Sequence, residues 1–284
     1  MRFSSDQIQK IGKEISNKVD GKTLFDEFSR GRYSTDASVY QIKPLGVVLP
    51  KDTNDVLNLM EYSQKNSIPL LARGGGSSQC GQTVGESVVL DYSKHQNKIL
   101  ELNVEEKYVW VQPGVVLDHL NSFLRPHGLW FPVDVSTSSR ATIGGMSANN
   151  SCGSRSLYYG NMVHNVLAIE AILDDGSIHT FDQINKNYLA TTNNQDRFYK
   201  IIDKFLHLRQ KVSKDIDENW PTTQRRVGGY NIDLIDPEGF NSSNLLVGSE
   251  GTLSLFNKIK LKLVLSLKFQ SQIFFLQTQL KTFH

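Results

Sequence analysis

Two stretches of this chain combine residue types that could do chemistry. They are Arg73-Gly74-Gly75-Gly76-Ser77-Ser78-Gln79-Cys80-Gly81-Gln82 and Ala141-Thr142-Ile143-Gly144-Gly145-Met146-Ser147-Ala148-Asn149-Asn150-Ser151-Cys152-Gly153. Both are rich in glycine and hydroxyl side chains and carry few bulky groups. Successive glycines let a backbone turn sharply and leave its N–H groups unobstructed. Such N–H groups, gathered in a nest, bind anionic oxygens. Two loops of this kind in one chain suggest a grip on a long phosphate-bearing cofactor, and a dinucleotide is the natural candidate. The first loop is not a Walker A loop, because Gln82-Thr83 follows Gly81 where Lys and Ser/Thr are needed. It is not a Rossmann fingerprint either: the third glycine position holds Gln79, and Glu86–Asp91 reads as a strand rather than a helix.

Arg73–Gln82 resembles the pyrophosphate loop of the FAD-linked oxidases with a PCMH-type (vanillyl-alcohol-oxidase-type) FAD-binding domain. Pro132-Val133-Asp134, Thr142-Ile143-Gly144-Gly145, Asn149, Gly153 and Tyr159-Gly160 resemble that family's second flavin segment. Val247-Gly248-Ser249-Glu250-Gly251-Thr252-Leu253 resembles its late Gly-Ser-Glu-Gly-Thr-Leu element. Each motif alone is weak, but three in the family's order are specific. The likeness runs from about Tyr40 to Leu263 and is nearest the 2-hydroxy-acid branch: glycolate oxidase flavin subunits, cytochrome-linked D-lactate dehydrogenases and D-2-hydroxyglutarate dehydrogenases.

The resemblance implies an α+β fold of two lobes with FAD extended between them. The first loop would wrap the pyrophosphate with the N–H groups of Gly74, Gly75, Gly76, Ser77 and Ser78 and with both serine hydroxyls. Arg73 would either pair with a phosphate or brace the loop, and Gln82 would contact the cofactor or cap the loop. Thr142, Ile143, Gly144 and Gly145 would supply a second set of donors. Asn149 and Gly153 would lie along the isoalloxazine and ribityl groups, and the Ile178 backbone at the adenine end. Gly81, Pro132, Asp134 and Gly160 complete the expected cofactor-binding set. Ser77 stands where covalently linked members carry histidine, and no cysteine stands in Ser139–Gly145, so FAD is expected to be non-covalent. His119, His127 and His164 are read as structural or surface residues.

The family reaction is oxidation of a 2-hydroxy acid to the 2-keto acid by hydride transfer to flavin N5, with electrons passing on to an acceptor protein or a quinone. Arg225 and Arg226, with Tyr230 in a Gly-Tyr-Asn element, are candidates to hold the substrate carboxylate; a solvent-exposed arginine pair is the competing reading. No residue stands out as the base. Relatives continue into a cap domain over the flavin, whereas this sequence stops at His284 and departs from the family pattern after Leu263. The expectation is a missing cap, supplied in one reading by a partner chain, and a truncated tail over 266–284. Two alternatives stay open: an FAD-binding fragment or subunit without turnover, and a flavin oxidase of sugars or aldonolactones.

The elements that must position these loops follow from pattern. The chain has 284 residues, 39% hydrophobic, with a net charge of +2, which is ample for a core and gives no reason to invoke nucleic acid. Its two cysteines, Cys80 and Cys152, form no disulfide framework, support no iron–sulfur cluster or other metal site, and are expected to be small buried packing residues. The start lacks an apolar leader core, which points to a cytoplasmic, reducing setting, and the apolar run after Val264 is too polar for a membrane span. Ser4–Asp6 should cap a helix carrying Ile8, Ile11, Ile15 and Val19, and Phe25–Ser38 should be irregular. Leu45–Pro50, a helix capped by Asp52-Thr53, Ile68–Ala72 and Val88–Leu90 should build the first lobe. A hairpin over Ile99–Val111, a helix over Val115–Leu124 with Val116, Leu120 and Phe123 in phase, and a hairpin turning at Asp174-Asp175-Gly176 should begin the second. A polar helical stretch would interrupt that lobe, and Leu245–Val247 and Leu253–Phe256 would return to strand. The expected division is an arm over 1–39, a flavin domain over 40–265 (lobes of about 40–95 and 96–265, with the insertion at about 183–243), and the tail.

Overall fold

A computed structural model describes residues 3–223 and 225–266. The apolar stretch beyond Ser266 and its reading as a truncated tail lie outside the described residues. Helix Ser5–Ser16 starts as its cap dictates: Ser4 accepts from the Gln7 N–H while the Gln7 side chain accepts from the Ser4 N–H. Ile8, Ile11 and Ile15 are buried on one face, with Val19 just beyond its end, against Val56, Leu59 and Tyr62 of helix Thr53–Asn66.

The first sheet holds β1 (Lys22–Leu24), β2 (Gly46–Leu49), β3 (Leu70–Arg73) and β4 (Val88–Asp91), in the order β1-β2-β4-β3. β2, β4 and β3 are parallel, so a crossover is required between β2 and β3; helix Thr53–Asn66 supplies it. Because β3 ends at Arg73, the first glycine loop leaves the sheet at the carboxyl end of an edge strand.

Next come β5 (Ile99–Asn103), β6 (Tyr108–Val111), the two-residue β7 (Leu129–Trp130), β8 (Val166–Ile172) and β9 (Ile178–Phe181). They are followed by β10 (Gln183–Asn185), β11 (Gly239–Asn241), β12 (Leu255–Lys262) and β13 (Val264–Leu265). β5-β6-β12-β8-β9 form an antiparallel sheet, with a turn through Gly176 at φ 81° closing β8 on β9. Its core joins Val109, Val111, Phe131, Ile169, Ile259 and Leu261 to helix Leu117–Leu124. β10 pairs with β11, so the helical insertion enters and leaves through an antiparallel ribbon. Among the described residues no helix is long and apolar enough to cross a membrane.

Several local expectations need correction. Phe25–Ser38 is not wholly irregular: Asp26 accepts from the Ser29 N–H and starts a short helix, Glu27–Arg32. The buried face of helix Leu117–Leu124 is Leu117, Leu120 and Leu124, while Phe123 is exposed. Leu245–Val247 is no strand; Leu245 ends a 3-10 turn over Ser242–Leu245 that Asn241 caps. Short apolar runs do not distinguish a strand from a buried turn. Beyond Leu263, where the sequence departs from the family pattern, Val264 and Leu265 still pair in register with Trp130 and Leu129.

Candidate functional site

The first glycine loop is built on a brace. Arg73 Nη1 donates to the carbonyls of Tyr33 (3.4 Å) and Thr83 (3.1 Å), and Nη2 to that of Thr35 (2.8 Å). Its guanidinium lies over the Tyr33 ring, whose hydroxyl donates to Asp91 at 2.6 Å. Gly76 has φ 63°, and an added Cβ would fall 2.6 Å from Arg73 Nη2. The Ala37 N–H donates to the Gly76 carbonyl, and Thr83 Oγ1 donates to Asp36. The N-terminal arm thus holds the loop from behind, and of the two roles open to Arg73 the brace is the one the geometry makes. Among the described residues, the N–H groups of Gly74, Gly75, Gly76, Ser77 and Ser78 meet no acceptor. A row of unclaimed N–H groups lining a cleft is a fit for a pyrophosphate.

The second loop packs directly on the first. A Cβ on Gly74 would sit 2.0 Å from Thr142 Oγ1, and one on Gly75 2.2 Å from the Arg140 carbonyl oxygen. Thr142 caps the short helix Ile143–Ala148 by accepting from the Gly145 N–H. The Ile143 N–H is bonded to the Val115 carbonyl and the Gly144 N–H to that of Pro113, both at 2.8 Å. These donors, expected for the cofactor, are committed within the protein. What the helix offers instead is the bare face of Gly145. A Cβ there would meet Thr142 Oγ1 at 3.3 Å and nothing else within 4 Å.

Both loops and the Gly-Ser-Glu-Gly-Thr-Leu turn line one cleft of about 450 Å³, within the size range of ligand sites. Arg73, Gly74, Gly75, Gly76, Ser77, Ser78, Gln82, Thr142, Gly144, Gly145 and Asn149 all reach it. Glu250 lies in the same cleft; its motif was legible in the sequence but its role was not. It takes φ 52°, and its Oε1 accepts from Asn149 Nδ2 at 2.8 Å. Ser151 donates to Asn149, and Ser78 to Gln82. Burial pushes the Glu250 carboxyl up from its ordinary value, against hydrogen bonds from Asn149 and Gln82 that pull it down. A carboxyl raised on folding contributes stability that is fully present below the unfolded glutamate range and is lost as pH rises through the raised value. The melting-temperature advantage of wild type over Glu250→Gln is therefore expected to be largest near pH ~4 and to shrink toward neutrality. An advantage that grows with pH would overturn the assignment.

The other expected cofactor residues are not among those that line the cleft. Ile143 and Pro132 are buried. Asp134 accepts from the Arg155 N–H and the Ser154 hydroxyl, and a Cβ on Gly153 would collide with the Asp134 carbonyl at 1.7 Å. Gly81 and Gly160, both at positive φ, pack on Tyr40 and His164. Ile178 opens β9 opposite Ile172. Apart from Ile178, which is exposed at the start of β9, each of these residues is held by contacts within the protein.

Arg225 and Arg226, adjacent in sequence, diverge. Arg226 is paired with both carboxylate oxygens of Asp233 at 2.7 Å and lies over the Trp220 ring. Arg225 Nε donates to Cys152 Sγ at 2.9 Å. Tyr230 contacts Thr252 Oγ1 at 2.7 Å. Neither cysteine is a buried packing residue as expected: Cys80 is exposed, Cys152 is half-buried, and both line the cleft, because loop positions face the groove rather than the core. Among the described residues no cluster of His, Cys, Asp or Glu is arranged to hold a metal ion.

Residues 44–182 match the FAD binding domain family. The chain is 36% identical over 256 residues to D-2-hydroxyglutarate dehydrogenase of Haemophilus influenzae, covering 84% of this chain and 24% of the relative. It is 30% identical to glycolate oxidase subunit GlcD of Bacillus subtilis, covering 90% of this chain and 45% of that protein. The chain thus spans about a quarter of the length of the first relative. A solved structure of alkyldihydroxyacetonephosphate synthase shares the fold, with a TM-score of 0.63 and 18% identity over 90% of this chain and 44% of that one. With the two glycine loops, the late Gly-Ser-Glu-Gly-Thr-Leu turn and these likenesses in agreement, the chain carries an α+β FAD-binding domain of the PCMH type, similar to that of the FAD-linked dehydrogenases.

Proposed function

We propose that this chain is the flavin-holding part of an FAD-dependent oxidoreductase that oxidises a 2-hydroxy acid to the 2-keto acid. The observation that carries the reading is the cleft itself. The unclaimed N–H groups of Gly74 to Ser78 and the bare face of Gly145 lie on one groove, where an anionic cofactor would meet fixed donors and close backbone. The N–H row and the Ser77 hydroxyl would hold the pyrophosphate, with Gly145 and Asn149 bordering the rest of the cofactor; the Ser78 hydroxyl is committed to Gln82. FAD, when bound, would supply a two-electron acceptor able to take the substrate's α-hydrogen as hydride. The names of the relatives, which specify D-2-hydroxyglutarate and glycolate, support a 2-hydroxy acid as the class of substrate.

The cofactor is held without a covalent bond, since Ser77 offers no imidazole at the attachment position. Acid precipitation of the holoprotein is expected to release essentially all flavin into the supernatant; flavin retained in the pellet would refute this. The function is tested by the absorption spectrum before and after anaerobic addition of D-lactate, glycolate or D-2-hydroxyglutarate. Bleaching by one of these acids is the expected result. A flavin spectrum that none of them bleaches would reduce the reading to an FAD-binding fragment without turnover.

A further inference from the structure

We propose that Arg225 and Cys152 together form a carboxylate subsite at the rim of the cleft, with Arg225 as the ligand and Cys152 as its positioning residue. The inference rests on the 2-hydroxy-acid reading and deepens it. Three observations carry it.

First, the segment that bears Arg225 is tied to the cleft along its length. The Arg226 carbonyl accepts from Asn161 Nδ2 at 3.0 Å, and Asn161 is itself buried. Val227 lines the cleft. Tyr230 is joined to Thr252, and the buried Asn231 donates to the Val247 carbonyl at 2.7 Å. The arginine is therefore presented from a fixed backbone.

Second, the two neighbouring guanidiniums are in opposite states. Arg226 has its charge neutralised by Asp233 and its face covered by Trp220. Arg225 has no carboxylate partner among the described residues; its contact is the Cys152 sulfur.

Third, that contact uses Nε. The bond between Arg225 Nε and Cys152 Sγ anchors one edge of the planar guanidinium against a residue of the cleft wall. Among the described residues the terminal nitrogens Nη1 and Nη2 meet no acceptor, which leaves them to receive a carboxylate with two parallel hydrogen bonds, the geometry in which arginine recognises this group. A thiol is a weak acceptor, so it fixes the side chain without neutralising it.

The test is titration of the flavin-loaded full chain with oxalate, a carboxylate that the flavin does not oxidise in this site, read by perturbation of the flavin spectrum. Arg225→Met is expected to raise the oxalate Kd at least about 30-fold while flavin content stays at the wild-type level. Arg225→Lys should recover little of it, because an ammonium lacks the fork. Cys152→Ser, which keeps an acceptor, should weaken binding only a few-fold, and Cys152→Val about as much as Arg225→Lys; a merely structural cysteine would not follow this acceptor rule. Arg226→Met should lower thermal stability and leave the oxalate Kd of the folded protein unchanged. Oxalate binding that survives Arg225→Met overturns the subsite alone. Wild-type protein that holds FAD but binds neither oxalate nor pyruvate overturns the 2-hydroxy-acid reading, and the subsite with it.

Discussion

Gly145→Val is expected to leave the apoprotein folded and to weaken FAD binding by about 100-fold or more, roughly 2.7 kcal/mol. The two halves of this result have separate causes. Gly145 lies in helix Ile143–Ala148, where valine is at least as good a helix residue as glycine. Its added Cβ meets only the tip of the Thr142 side chain, at 3.3 Å. The branched methyl groups therefore project into the cleft, where the cofactor would lie against backbone. Gly75→Val is the contrasting case. Its Cβ would stand 2.2 Å from the Arg140 carbonyl oxygen, so the two loops must part before any ligand arrives. That variant should lose both flavin and apoprotein stability, the latter by about 1–3 kcal/mol as for other overpacked sites. Flavin content measured against an apoprotein denaturation curve separates the two. Wild-type FAD affinity in a folded Gly145→Val protein would remove the second loop from the binding surface.

The comparison shows what a sequence carries and what it leaves out. Both glycine loops, their order and the strand before the first were legible, because glycine runs, caps and alternating apolar residues are local signals. The Ile8, Ile11 and Ile15 face and the Asp174-Asp175-Gly176 turn were legible for the same reason. Which glycine serves the ligand and which serves the fold was not. Gly75 is dictated by Arg140 and Gly153 by Asp134, partners distant along the chain that no local pattern reveals. The same holds for the adjacent arginines: one is neutralised by Asp233 and the other rests on Cys152. The Phe25–Ser38 part of the N-terminal arm was legible only as irregular polar chain, because it holds the first loop largely through backbone carbonyls, which have no sequence signature.

That arm makes the fate of Arg73 the second large expected effect. Arg73→Met should destabilise the apoprotein by about 3 kcal/mol, since hydrogen bonds to a charged donor contribute about 1.5–3 kcal/mol each and the freed carbonyls of Tyr33, Thr35 and Thr83 regain water only in part. For a chain of this size the melting temperature should fall by roughly 5 °C. Methionine keeps much of the aliphatic stem, so the loss reports on the guanidinium. FAD affinity of the protein that remains folded should fall by less than about tenfold, because on the proposed reading the N–H row, not this side chain, would face the phosphates. The opposite pattern, an unchanged melting temperature with FAD affinity down 100-fold or more, would make Arg73 a phosphate ligand and the arm a bystander. The two readings differ in the state of the protein that they move. A brace acts on the apoprotein, where the carbonyls of Tyr33, Thr35 and Thr83 already claim both terminal nitrogens of Arg73. A phosphate ligand would have to surrender those bonds on binding, and so would gain only the difference between a phosphate oxygen and the carbonyls it replaced.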